Sequence, residues 1–131
     1  MTIKIGELVA VYGSLRAGLG NHRVLDTKWG GSEYVKTTRT ADNHNLRAYC
    51  SGFPCVSLNE GEGTVVVELY RILTDETAHR LDRLEGYPSF YDRTKIEMLD
   101  GEEAWIYHIN NSQAEIIEDG DWKRYYEEQR S

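Results

Sequence analysis

The stretch VVVELYRILTDETAHRLDRLEGYP, residues 65–88, changes its periodicity once, and the fold class turns on that change. Val65 to Ile72 is a β-branched and apolar run of the kind that forms a buried strand. Thr74 then offers a side-chain oxygen as a helix N-cap, and Asp75 and Glu76 follow in the first turn, where the helix dipole favours negative charge. Gly86 is a natural helix stop and Pro88 prevents continuation. At about 100° per residue, Ala78, Leu81 and Leu84 make an apolar stripe. Glu85 lies four residues after Leu81 and stacks on the same face, whereas Asp82 and Arg83 fall to the sides. The helix therefore aims one carboxylate along its buried face at its very end, unless the last turn frays outward and leaves Glu85 in water.

Outward from this unit the chain reads as short strands. Val9 to Val11 form one, extending back toward Ile3 and Ile5. Asn21 to Thr27 suit a helical turn or two. Tyr34 to Thr40 and Leu46 to Tyr49 flank the polar Asp42-Asn43-His44-Asn45 turn and suggest a hairpin. Gly52 and Pro54 punctuate the next piece, with Val56 and Leu58 as a short strand. Tyr91 to Leu99 and Ala104 to Ile109 flank Asp100-Gly101, a two-residue pair that favours a tight hairpin. From about residue 110 the chain is a polar tail, in which Asp119 to Gln129 could form a terminal helix anchored by Trp122, Tyr125 and Tyr126. Successive strands joined by turns, with one strong helix between them, predict an α+β fold whose sheet or barrel is mostly antiparallel.

At 131 residues the chain, 1–131, is expected to form a single domain. The hydrophobic fraction of 40% and charged fraction of 28% are ordinary for a globular protein. A formal charge of −7 with scattered basic residues argues against a nucleic-acid partner. No apolar run approaches the ~20 residues of a membrane span, and the N-terminus lacks a signal-peptide pattern, so a cytoplasmic location is expected. Cys50 and Cys55 have no Cys/His set around them, which makes a metal site improbable and reduced thiols the expectation.

The second informative stretch is Leu8 to His22, LVAVYGSLRAGLGNH. Gly13 and Gly18 have P-loop spacing, but Leu19-Gly20 stands where Lys-Ser/Thr is required. Gly18-Leu19-Gly20 begins a dinucleotide fingerprint, yet Arg23 holds its third glycine position. What remains is a strand exit whose backbone N–H groups can approach a carboxylate or oxyanion closely, with Ser14 adding a hydroxyl. Ser14 as a nucleophile would need a base, and Tyr12 and Arg16 occupy the glycine positions of a nucleophile elbow. A plain tight turn is the third reading.

Taken together, the two sites resemble the gamma-glutamylcyclotransferase-like family. Its YGSL-type loop is matched by Tyr12-Gly13-Ser14-Leu15, followed by Gly20-Asn21-His22. A central segment ending in an aromatic and a proline is similar to Leu46 through Phe53-Pro54. The LDxLEG run is matched by Leu81-Asp82-Arg83-Leu84-Glu85-Gly86, after the strand Val65 to Ile72, and the P-x-x-Y-x-R piece by Pro88 to Arg93.

The resemblance implies a small, mostly antiparallel β-barrel flanked by a few helices. It also implies that residues 12–15 grip the α-carboxylate end of a γ-glutamyl group and that Glu85 is the general acid/base. The activity implied is cyclisation of a small-molecule γ-glutamyl amine or peptide to 5-oxoproline, releasing the free amine without any cofactor or metal. Tyr91 could face the cavity or belong to the core, and Tyr107 carries the same choice. Arg93, on the same strand face, could touch substrate, pair with Glu85 or make a structural salt bridge. A catalytically silent binding module of the same fold is the alternative. Trp29, Trp105 and Trp122 could each be core or interface, so the sequence leaves the oligomeric state open.

Overall fold

The computed structural model describes residues 2–48, 53–109 and 113–130. Tyr49, Cys50, Gly52 and Asn110, which entered the sequence reading as strand, thiol, turn and tail residues, lie outside that set. Eight strands and two helices follow one another: β1 (Leu8–Val11), β2 (Ser32–Arg39), β3 (His44–Ala48), β4 (Pro54–Leu58), β5 (Val66–Ile72), α1 (Asp75–Glu85), β6 (Asp92–Glu97), β7 (Glu103–His108), β8 (Glu115–Ile116) and α2 (Trp122–Arg130). Two short 3₁₀ turns, His22–Leu25 and Thr27–Trp29, lie between β1 and β2. Among the described residues no helix is long and apolar enough to cross a membrane.

Five strands form one sheet in the order β2-β5-β1-β7-β6, and β4-β3-β8 form a second. All pairings are antiparallel except β1 with β7. The larger sheet curls until its edges touch at a single bridge between Thr40 and Met98. The architecture is thus an α+β, mostly antiparallel, incompletely closed barrel. Its strands alternate between two cores, as the period of two requires. Ala10, Leu69 and Ile106 point into the barrel with Leu46, Val56 and Trp122. Val9, Val11, Tyr70, Trp105 and Tyr107 point the other way and are covered by Ala78 and Leu81 of α1.

Three expectations change. The hairpin expected between Tyr34–Thr40 and Leu46–Tyr49 does not form: β2 pairs with β5 over Ser32 to Arg39, while β3 pairs with β4. The chain leaves the first sheet at the buried Thr40, whose hydroxyl accepts a hydrogen bond from Val65 N–H at 3.0 Å. The polar stretch does mark where β2 ends, but its His44 and Asn45 already belong to β3, and β5 offers β2 a longer partner than β3 could. The β6–β7 hairpin is present with one more residue in its turn than expected. Met98 N–H donates to Glu102 C=O at 2.7 Å across Leu99-Asp100-Gly101, and Gly101 takes a φ of 96°. Third, the segment beyond residue 113 does more than trail: β8 pairs with β3, Ile117 and Trp122 are buried, and the expected terminal helix forms as α2 but starts at Trp122 instead of Asp119. Of the other tryptophans, Trp105 is buried and Trp29 is 79% exposed.

Candidate active site

Helix α1 begins as its sequence dictates. Thr74 caps it by accepting from Thr77 N–H at 3.2 Å, and Gly86 ends it with a φ of 65°, donating to Arg83 C=O at 3.2 Å. Ala78 and Leu81 are fully buried, but Leu84, expected on the same stripe, is 40% exposed. The reason is that the last turn overhangs a cavity of roughly 240 Å³ instead of packing on the sheet. Glu85 remains half-buried and lines this cavity with Leu84. Burial pushes its carboxyl up to about 7. Among the described residues its side chain makes no hydrogen bond or ion pair, and no other charged side chain lines the cavity.

The opposite wall is the loop leaving β1. Tyr12, Gly13, Ser14 and Leu15 all line the cavity, with Asn21, Pro54, Tyr91 and Tyr107. The loop is held from behind. Arg16 N–H donates to Gly13 C=O at 3.0 Å, and Asn21 donates to Ser14 twice, backbone to carbonyl at 2.9 Å and Nδ2 to Oγ at 2.8 Å. His22 Nδ1 lies 2.9 Å from Leu15 C=O. Among the described residues the backbone N–H groups of Gly13, Ser14 and Leu15 have no acceptor. Donors of that kind beside a cavity suit an anionic group.

Two features fix the loop. Gly13 sits so close to Pro54 that a Cβ added to it would stand 2.5 Å from Pro54 Cγ. Arg16, 6% exposed, carries a buried ion pair from Nε to Glu68 Oε2 at 3.0 Å, and its Nη1 reaches Asp121 at 2.9 Å. Glu68 also accepts from Ala17 N–H and from the Tyr70 hydroxyl, each at 2.8 Å. We expect Gly13→Ala to destabilise the fold by about 1–3 kcal/mol, because the overpacked pair cannot separate without moving a cavity wall. Denaturant unfolding reads this effect; an unchanged midpoint would mean that the wall yields freely.

Comparison with known proteins fits this geometry. The family model described as gamma-glutamyl cyclotransferase, AIG2-like, matches residues 9–124. The chain belongs to this family. A relative from Methanocaldococcus jannaschii, provisionally named a gamma-glutamylcyclotransferase, is 34% identical over 123 residues, covering 91% of this chain and 98% of its own. A crystal structure of a protein specific to uropathogenic Escherichia coli superposes with a TM-score of 0.76 at 25% identity, covering 95% of this chain and 98% of that one. The crystal structure of an AIG2-like protein from Mus musculus superposes at 0.71 with 24% identity over 88% of both chains, which bears on the fold alone.

Within this family member the residues singled out from the sequence separate into two groups. Glu85, Tyr12, Gly13, Ser14, Leu15 and Tyr91 converge on one cavity. The Tyr12 hydroxyl donates to Tyr107 C=O at 2.7 Å and the Tyr91 hydroxyl donates to Pro54 C=O, so both rings form wall while their polar ends are held by backbone. Arg93 is not part of the lining. Its pairing with Glu85 does not occur; Nε and Nη2 grip the two oxygens of Asp82 at 2.9 and 3.1 Å instead. The guanidinium is sandwiched by Tyr87 and Trp105, at 4.0 and 4.7 Å from their ring centres. Asp82 also accepts from the Tyr107 hydroxyl at 2.6 Å. Asp82, one residue after Leu81 of the apolar stripe, therefore serves as the bolt between α1 and β6–β7.

Sequence reasoning missed Asp82, Asn21 and the Arg16–Glu68 pair. Glu68 had a readable signal, since a lone acid inside the Val65–Ile72 run is a charge in a strand buried on both faces and needs a partner. Asn21 and Asp82 stood within the Gly20-Asn21-His22 and LDxLEG matches, but with no role attached to them. Ser14 Oγ is engaged by Asn21 and not by a histidine, which leaves the nucleophile reading without its base.

Proposed function

We propose that the chain is a gamma-glutamyl cyclotransferase that closes the γ-glutamyl group of an amide on itself, releasing 5-oxoproline and the free amine. The observation that carries this reading is the Glu85 carboxyl, poised at about 7, across a small cavity from the backbone N–H groups of residues 13–15, with no ion partner for the one and no acceptor for the others among the described residues.

In this mechanism the N–H groups of Gly13, Ser14 and Leu15 hold the substrate α-carboxylate. That anchoring curls the γ-glutamyl chain so that its α-nitrogen meets its own γ-carbonyl, which is an orientation effect. The α-ammonium, less acidic than a peptide N-terminus because its own α-carboxylate is free, must lose a proton first, and the raised carboxyl of Glu85, at about 7, is the base placed to take it. The new C–N bond closes the lactam and the old amide C–N bond breaks. Of the three ammonium protons, one stays on the lactam nitrogen and two reach the departing nitrogen, which leaves as an ammonium. Glu85 accepts and returns the proton in transit, and no oxidant or reductant is involved.

The direct test is 5-oxoproline release from a panel of γ-glutamyl amides and dipeptides, compared with the Glu85→Gln protein. Product from wild type alone supports the assignment. No product from either, with retained ligand binding, would favour a binding module of the same fold. The free-enzyme kcat/KM should rise with pH through about 7, because the base form of Glu85 is the one required. A profile flat from pH 5 to 8 would count against it.

A further inference from the structure

Beside the catalytic cavity, and sharing Ser14, Phe53 and Pro54 with it, lies a second cavity of roughly 400 Å³. Its far side is built by Gly18, Leu19 and Gly20 of the β1 loop and by Trp122 and Tyr126 of α2. Among the described residues no carboxylate, ammonium, guanidinium or imidazole lines it. Trp122 is 4% exposed and is stacked with Tyr125 and Tyr126, at 5.5 and 6.2 Å between ring centres, so its ring is held in place by the same helix. The other way out of the catalytic cavity passes Leu84 and Phe90, which are exposed and equally uncharged. Among the described residues Glu85 is the one charged side chain on either lining.

We infer that the amine half of the substrate is a neutral, apolar group, aliphatic or aromatic, seated in the groove between Leu19, Phe53 and the Trp122–Tyr126 face of α2. This rests on the cyclotransferase reading above. If residues 13–15 hold the α-carboxylate and Glu85 serves both nitrogens, the departing substituent has to leave the cavity past Phe53 and Pro54 or past Leu84 and Phe90. A carboxylate or ammonium on that substituent would be stripped of water against Leu19 and Phe53 with no side chain to pair it. An apolar substituent gains by leaving water at the same place. Because α2 supplies Trp122 and Tyr126, the C-terminal segment sets amine specificity without touching the reacting atoms. Tyr126 is 38% exposed and partly rims the groove, so it can be altered with little risk to the fold.

The experiment compares 5-oxoproline release from γ-glutamyl-benzylamide, γ-glutamyl-isobutylamide, γ-glutamyl-glycine and Nε-(γ-glutamyl)-lysine. The two apolar amides should exceed the two charged substrates by about tenfold or more in kcat/KM, the usual scale of discrimination by an apolar pocket. Tyr126→Ala should shrink the benzylamide-to-glycine ratio about tenfold through KM, and Leu19→Arg should shift the ratio toward γ-glutamyl-glycine. A charged substrate preferred by wild type, or a ratio unmoved by both variants, overturns the inference and leaves the cyclotransferase reading standing. Tryptophan fluorescence with N-benzylacetamide separates the two ideas. Saturable binding that survives Glu85→Gln and is lost in Tyr126→Ala supports the groove even if no substrate turns over. Absence of such binding counts against it.

Discussion

Glu85→Gln is expected to lower kcat for 5-oxoproline release by about 10²–10⁴-fold while leaving KM within a few-fold, the range associated with loss of a general acid/base. Glutamine keeps the shape of the wall and the hydrogen-bonding width of the side chain but cannot carry a proton between two nitrogens. Steady-state kinetics on the best substrate of the panel decides the point, and a variant that retains full turnover would sink the mechanism.

The same substitution should stabilise the protein. Burial raises the Glu85 carboxyl from 4.5 to about 7, so the folded protein binds a proton that the unfolded chain releases between those values. The sign follows: stability contributed by this group is present below about pH 4.5 and falls as pH rises toward 7. At 1.36 kcal/mol per unit the ceiling is about 3 kcal/mol, and partial exposure trims it to roughly 1–3 kcal/mol. Glu85→Gln should therefore unfold at higher denaturant than wild type at pH 8 and match it near pH 4.5. Equal midpoints at both pH values would mean that the carboxyl is not raised. A residue that costs stability and supports activity is the pattern expected of a catalytic group.

The second large effect concerns the pair behind the loop. Glu68→Gln is expected to cost about 3 kcal/mol, the lower end for a broken buried pair, because it leaves the buried Arg16 guanidinium with only the more exposed Asp121 as counter-charge. That is a large share of the 5–15 kcal/mol that typically holds a domain together. Burial alone would raise the Glu68 carboxyl, but hydrogen bonds from Ala17, Tyr70 and Arg16 override it and hold it below the usual range. Its stabilising contribution is therefore present above the ordinary carboxylate value and lost as pH falls from there through the lowered one, opposite in sense to Glu85. Arg16 N–H also closes the Gly13 turn, so loosening the pair should raise KM more than it lowers kcat. Urea unfolding of Glu68→Gln, Arg16→Met and the double variant tests this. The double variant should recover part of the loss of the worse single change, since no buried charge is then left alone; strictly additive losses would argue that the two side chains act separately.

Much of the site was legible before any coordinates. The caps at Thr74 and Gly86 and the four-residue step from Leu81 to Glu85 are local matters, decided within one or two helical turns. So is the strand exit at Tyr12-Gly13-Ser14-Leu15. The hairpin of β6 and β7 and the terminal helix followed from equally local signals, with an error of one residue in the turn. Each of these depends on groups close in the chain, where spacing and residue type are sufficient.

What tertiary structure alone decided is which distant groups meet. The sequence could mark the end of β2 at Thr40, but not that β5 would take it as a partner in place of β3. It could set Arg93 on the face of Tyr91, but Asp82 and not Glu85 claimed it, because the side of α1 that carries Asp82 meets β6–β7 while the helix end hangs over the cavity. It could name Trp122 and Tyr126 as anchors, but not bring them beside Phe53 and Leu19. Local pattern by itself determined most of the elements, the step that sets Glu85 at the end of the helix stripe and the strand exit at Tyr12-Gly13-Ser14-Leu15, while burial of the carboxyl opposite that loop came with the tertiary fold. The pairing of charges, the closure of the barrel edges and the groove under α2 depend on long-range burial, which rewards whichever partner removes the most apolar surface and leaves the fewest charges alone.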